Sequence, residues 1–212
     1  MIYFNNDYSE GCHPKVLEAL TKTNMEQTPG YGMDAHCARA AQLIRGLCRD
    51  ESLDVHFLVG GTQTNLTVIA AALRPHQGVL GADTAHINVH ETGAIEATGH
   101  KVLWLPNADG KITAEQVRNC VLAHRADESF EHTVQPKMVY ISNPTELGTL
   151  YTHRELEALH RVCGELGLYL FLDGARLGYG LAANGNDVTM PDLAKFCDVF
   201  YIGGTKVGAM FG

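Results

Sequence analysis

The sequence predicts an α/β fold in which a mostly parallel, or mixed, central sheet carries helices on both faces. Three observations predict it. Short runs of apolar, branched and aromatic residues recur, bounded by Gly, Pro or polar residues, as buried strands are. Longer segments between them place apolar residues at helical spacing. From residue 55 onward the two kinds of segment alternate, as strands joined by helical crossovers do.

Residues 1–30 read as an N-terminal arm and a short helix, which Gly11-Cys12-His13-Pro14 opens and Val16, Leu17 and Leu20 stripe. A loop around Pro29-Gly30-Tyr31-Gly32 leads into the large α/β domain, residues 31–212. Ala35, Ala38, Leu43, Ile44 and Leu47 predict a helix over 34–49. Strands are predicted at 55–59, 79–82, 101–105, 137–142, 168–172 and 198–202. Helices are predicted near 62–73, 88–97, 113–125, 152–166 and 190–196. The polar stretch from Asp127 to Gln135 reads as a surface loop. The last residues, Ala209-Met210-Phe211-Gly212, look like the start of a further strand. A longer protein, of which this is the N-terminal part, is therefore expected.

A chain of 212 residues can bury a substantial core as one large domain or at most two. It is 45% apolar and 19% charged, a globular balance. Its formal charge of −8 argues against a nucleic-acid surface. No apolar run approaches the roughly 20 residues of a membrane span, and the first residues lack the basic and apolar regions of a secretory signal. Cysteines 12, 37, 48, 120, 163 and 197 are scattered without a Cys-x-x-Cys pair and read as reduced thiols. A cytoplasmic enzyme acting on a small molecule is the expected class.

Two rims carry the chemistry. Val55-His56-Phe57-Leu58-Val59 runs into Gly60-Gly61-Thr62, after which Leu66, Ile69, Ala70 and Leu73 fall at helical spacing. A strand, a Gly-Gly turn and a helix N-terminus make an anion cradle, with backbone N–H groups facing the anion. No Walker or dinucleotide fingerprint is written there, so an ordinary turn capped by Thr62 or Thr64 is the competing reading. Downstream, Leu168-Tyr169-Leu170-Phe171-Leu172 ends in Asp173-Gly-Ala-Arg176, and Asp198-Val199-Phe200-Tyr201-Ile202 ends in Gly203-Gly204-Thr205-Lys206. A carboxylate and an amine thus sit at C-terminal strand ends, where open α/β sheets bind ligands. With a phosphate cradle they suit pyridoxal 5'-phosphate (PLP), the Asp facing a protonated pyridine nitrogen and the Lys forming a Schiff base. Singly, Asp173 reads as a turn cap and Lys206 as a solvated amine.

The order of motifs resembles the threonine aldolase and β-eliminating lyase group of fold-type I PLP enzymes, over nearly the whole chain. It runs through Asp7, Tyr31-Gly32-x-Asp34, Gly60-Gly61-Thr62, Ala85-His86-Ile87, Asn143-Pro144-Thr145-Glu146, Asp173-x-x-Arg176 and Lys206. The resemblance implies the large domain of that fold and PLP as cofactor. It implies that Lys206 holds the cofactor, Asp173 faces its ring nitrogen and His86 stacks on the ring. Gly60, Gly61 and Thr62 would hold the phosphate, with a further contact from Thr205, and Arg176 would lie near the substrate carboxylate. His86, or a water it orients, would act as base.

The sequence departs from that pattern in places. Asn6-Asp7-Tyr8 stands where the family arm reads Ser-Asp-Thr, so a substrate contact there falls to Asn6. Ala35 replaces a family Pro, and Tyr31 reads as a loop aromatic near the ligand or as plain core. The family's C-terminal small domain, with a second substrate-carboxylate group, would lie beyond Gly212. The implied activity is cleavage of the Cα–Cβ bond of a β-hydroxy-α-amino acid to glycine and an aldehyde, by a homodimer or homotetramer. A β-eliminating lyase or aminotransferase on the same fold is the alternative. A non-catalytic module that binds a phosphorylated ligand is the alternative of another class. His86, His90 and Glu91 lie close in sequence, but His-Glu-x-x-His is not written and no further ligand lies at metal spacing, so no metal is expected.

Overall fold

A computed structural model describes residues 2–211. Five strands, β1 (Gln77–Ala82), β2 (Val102–Leu105), β3 (Gln135–Ser142), β4 (Tyr169–Asp173) and β5 (Val199–Phe200), form one sheet ordered β2-β1-β3-β4-β5. Every pairing is parallel, and Ser142 lies opposite Asp173 at the C-terminal rim. Successive residues of β1, β3 and β4 are buried. Neighbouring strand residues point to opposite faces, so both faces are covered and the runs read as continuous apolar stretches. Met138, Tyr140, Leu170 and Phe171 lie at the centre of this core.

Helices α1 (Pro14–Thr23), α2 (Ala35–Cys48), α3 (Gly61–Ala72), α4 (His86–Val89) and α5 (Ala94–Ala97) precede β2. They are followed by α6 (Ala114–Ala126), α7 (His153–Leu166), α8 (Leu177–Ala182) and α9 (Met190–Phe196). The predicted boundaries hold where side chains cap them. Thr113 with Gln116, Thr152 with Glu155, and Thr189 with Asp192 form capping boxes at α6, α7 and α9. Asp34 accepts from Cys37 N at α2, and Gly167 ends α7 in the left-handed region. The short helix predicted after Pro14 forms as α1, but it buries none of its residues in this chain.

Several predictions change, and Ala209 to Phe211, read as the start of a strand, form none. Residues 55–59 pair with no strand, and Phe57 and Val59 stand 48% and 78% exposed. Val55 to Leu58 instead line the same cavity as Val199 and Phe200 of the edge strand β5 and form no ladder with it. The helix predicted over 88–97 breaks into α4 and α5, because Thr92 (φ 55°) and Gly93 (φ 73°) turn the chain left-handed between them. β5 is laddered only at Val199 and Phe200, although Tyr201 N and Gly203 N still donate to Leu172 O and Gly174 O of the neighbouring segment. The Asp127–Gln135 loop carries one 3-10 turn, Phe130–His132, and its last residue opens β3.

Candidate active site

The strand order reverses direction between β1 and β3, and the loops after β1, β3, β4 and β5 meet at the C-terminal rim. They enclose a cavity of about 840 Å³ with the N-terminus of α3 on its far wall. That volume lies in the range of cofactor and ligand pockets. The cradle residues Gly60, Gly61 and Thr62 line it, as do His86, Asp173 and Arg176, and Thr205 and Lys206. Asn6 and Tyr31 are not brought there. Asn6 Oδ1 accepts from Tyr8 N and Ser9 Oγ in its own turn, and Tyr31 stands fully exposed in left-handed backbone (φ 62°).

Asp173 is buried and surrounded by donors. Tyr201 Oη donates to Oδ1 at 2.5 Å, Asn65 Nδ2 to Oδ2 at 3.2 Å and Ala175 N to Oδ1 at 2.9 Å. Tyr140 Oη donates to Oδ2 as well. Burial above all, and next the Asp173 charge, pushes both phenols well above the usual tyrosine range. Both therefore stay protonated and donate to Asp173. Gly174 lets the chain turn here, since a Cβ would fall inside the Tyr201 carbonyl.

Lys206 lies in the short 3-10 turn Thr205–Val207 and keeps 15% of its side-chain exposure. Burial first, and next the Arg176 guanidinium, hold its amine below the usual lysine range. Asp7 Oδ1, 4.0 Å away, opposes this. Asp7 also pairs with Arg176, whose Nη2 donates to Oδ1 at 3.2 Å and whose Nε donates to Oδ2. The arm is anchored beside the lysine turn, with His13 N donating to Gly208 O.

His86 opens α4. Its backbone N–H donates to Glu146 Oε1 at 2.9 Å, which also accepts from Ser142 Oγ. Its Nδ1 lies 2.8 Å from Glu91 Oε1, and the His90 ring stands 5.5 Å from its own. Asn143 is buried away from the cavity and accepts from Tyr151 N, so it builds the turn at Pro144.

The residues fit PLP at three points. Glu91 Oε2 is a buried acceptor with no donor among the described residues, and it lines the cavity together with Asp173, so this wall suits a proton-bearing ring nitrogen. The first turn of α3 carries no side-chain cap, which leaves backbone N–H groups for a phosphate. A half-buried amine opens on the same cavity. Gly61 is needed at the cradle because a Cβ there would lie 2.7 Å from Tyr201 Oη. Gly61→Ala is expected to displace Tyr201 from Asp173, lowering stability by about 1–3 kcal/mol and weakening PLP uptake roughly tenfold. Thermal unfolding and a PLP absorbance titration check both.

Sequence reasoning overlooked Asn65, Tyr140 and Tyr201, and weighed Glu91 only as a metal ligand; these residues hold Asp173 and His86 from behind. Asn65 carried the one available signal, being a polar residue on the apolar stripe of α3 next to Leu66 and Ile69.

A family model described as β-eliminating lyase matches residues 7–211. The low specificity L-threonine aldolase of Pseudomonas aeruginosa is 33% identical over 211 residues, which are 99% of this chain and 60% of that protein. Its counterpart from Saccharomyces cerevisiae is 28% identical over 81% of this chain and 43% of its own length. Among solved structures, the threonine aldolase of Leishmania major is 53% identical with a TM-score of 0.94, covering 98% of this chain and 59% of that one. A histidinol-phosphate aminotransferase-like protein from Erwinia carotovora, at 15% identity and a TM-score of 0.73, shares the fold over 99% of this chain and 57% of its own. The chain thus spans about 60% of the length of the Pseudomonas relatives it matches.

Proposed function

This chain belongs to the β-eliminating lyase family, and on that footing we propose that it forms the PLP-binding part of a lyase that cleaves β-hydroxy-α-amino acids of the threonine type to glycine and an aldehyde. One observation carries the reading: a half-buried lysine and a buried aspartate, oriented by Tyr140, Tyr201, Asn65 and Ala175 N, line the same cavity.

When bound, PLP supplies an aldehyde that takes up an amine and a protonated pyridine ring that accepts the electrons released at the substrate Cα. Asp173 would face the proton-bearing nitrogen, and Tyr140, Tyr201 and Asn65 keep its oxygens aimed. Lys206 Nζ, held below the usual lysine range by burial, has more of the neutral nucleophilic form at working pH than a surface lysine. Gly60, Gly61 and Thr62 would hold the phosphate at the start of α3. Arg176 would receive the substrate carboxylate, sharing its guanidinium with Asp7. His86, about one-third exposed to the cavity, takes the β-hydroxyl proton at its ring nitrogen as the Cα–Cβ bond breaks and the aldehyde leaves. A proton returned to Cα completes glycine.

The working form would be a homodimer or homotetramer in the cytoplasm. The exposed apolar residues of the arm and α1, among them Phe4, Leu17 and Met25, support assembly. The six free cysteines suit a reducing compartment. No helix among the described residues is long and apolar enough to cross a membrane.

The test supplies threonine and allo-threonine to the PLP-loaded protein and measures acetaldehyde and glycine. Borohydride is expected to abolish the visible absorbance and add cofactor mass to the Lys206 peptide. Pyruvate from serine or cysteine with no aldehyde from threonine would move the assignment to β-elimination. Phosphate-ligand binding without covalent capture would leave a binding module.

A further inference from the structure

We propose that Glu91 is a positioning residue, which fixes the His86 ring with its Nδ1–H on the Glu91 carboxylate and its Nε2 lone pair turned to the cavity. The proposal rests on the reading of His86 as the group that takes the substrate proton. Glu91 follows α4, and its side chain is fully buried. A carboxyl group in that position costs several kcal/mol unless hydrogen-bonded or paired. Its contacts are few and directed. Oε1 lies 2.8 Å from His86 Nδ1 and accepts from Asn65 Nδ2 at 2.7 Å, and Oε2 has no partner among the described residues. His86 is the group in contact with Glu91 that can carry positive charge.

The backbone is also bent to achieve this. Thr92 adopts φ 55° directly after Glu91, a conformation that β-branched residues rarely take. The reversal it makes with Gly93 turns the chain into α5 and leaves Glu91 pointing inward while Thr92 itself is exposed. Strain of this kind persists where the surroundings require it.

The consequence is a defined tautomer. An oxygen that already accepts from Asn65 accepts again from Nδ1–H, so the ring's second nitrogen carries the free lone pair. The other groups facing His86 do not compete for Nδ1: Glu146 holds its backbone N–H, and His90 meets the ring at a 48° tilt. The Asn65 Nδ2 that serves Glu91 also reaches Asp173 Oδ2. One amide thus ties the proton-accepting histidine to the carboxylate facing the cofactor ring.

The test compares Glu91→Gln, which keeps an acceptor but not the charge, with Glu91→Ala, which removes both. In the PLP-loaded protein, ¹⁵N shifts of His86, assigned by difference with His86→Asn, are expected to show Nδ1 protonated and Nε2 pyridine-like. Glu91→Ala is expected to mix the tautomers. It should lower kcat about 10–100-fold with KM nearly unchanged, the equivalent of one charge-assisted hydrogen bond. Glu91→Gln is expected to lose less, and PLP absorbance is expected to persist in both. Should Glu91→Ala fail to fold, Glu91→Gln, of the same volume, decides by its kcat. An unchanged tautomer in Glu91→Ala, or an unchanged kcat in the folded variants, overturns the proposal. A wild-type protein that shows the tautomer but releases no aldehyde from threonine overturns the aldolase reading instead, and leaves the role of Glu91 standing.

Discussion

Lys206→Ala is expected to yield a folded protein without the visible absorbance of lysine-bound cofactor and with threonine cleavage slowed by ~10⁴-fold or more, about 5 kcal/mol of barrier. Its nearest ionic partner, Asp7 at 4.0 Å, keeps Arg176 when the lysine is gone, so nothing charged is stranded. Stability should therefore move little. Lys206→Arg separates charge from nucleophilicity. It retains the positive charge but presents a guanidinium that does not deprotonate, and the same loss of absorbance is expected. The pH dependence follows from the direction of the lysine shift. Burial, and next Arg176, disfavour the protonated amine, so the neutral form appears below the pH at which a free lysine would release its proton. Capture of PLP by cofactor-free protein should rise with pH through that lowered midpoint. Arg176→Met should move the midpoint back upward. A midpoint unaffected by Arg176 would mean that the two groups do not share the cavity in solution.

The strands that form the rim were legible because parallel sheets bury both faces, and Val139–Ile141 or Leu170–Leu172 can only be read as interior. Helix ends were legible where Thr113, Thr152 and Thr189 announce them. The apolar run at 55–59 misled because apolar composition guarantees neither burial nor pairing: Val55 to Leu58 line a cavity, and Phe57 and Val59 are exposed. α8 escaped because Gly178 and Gly180 interrupt its helical pattern; Gly180 is needed where a Cβ would approach Pro144. Asp173 and Lys206 stood out since a charge after an apolar run is conspicuous. Their supports did not. Tyr140 inside a strand looks like ordinary core, and the contact of Asp7 with Arg176 joins residues from opposite ends of the chain.

Those hidden supports make Asp173 the second position of large effect, and two substitutions there should diverge. Asp173→Ala removes the common acceptor of Tyr140, Tyr201, Asn65 and Ala175 N. The Tyr140 hydroxyl and the Asn65 amide are fully buried and cannot turn to water. Stranding them should cost about 3–5 kcal/mol, less than the separate penalties would sum to because the groups share one network. Asp173→Asn keeps the volume and one oxygen, and a phenol hydroxyl can rotate to meet its new N–H, so the cost should fall to about 1–3 kcal/mol. Activity should not follow stability. An amide cannot hold a protonated ring nitrogen as a carboxylate does, so both variants should lose threonine cleavage by roughly 10³-fold, about 4 kcal/mol. Thermal unfolding and kcat measured together check this divergence. If Asp173→Asn retained cleavage within tenfold of the parent, the four donors would be holding a structural carboxylate, and the chemistry assigned to the rim would lose its electron-withdrawing partner.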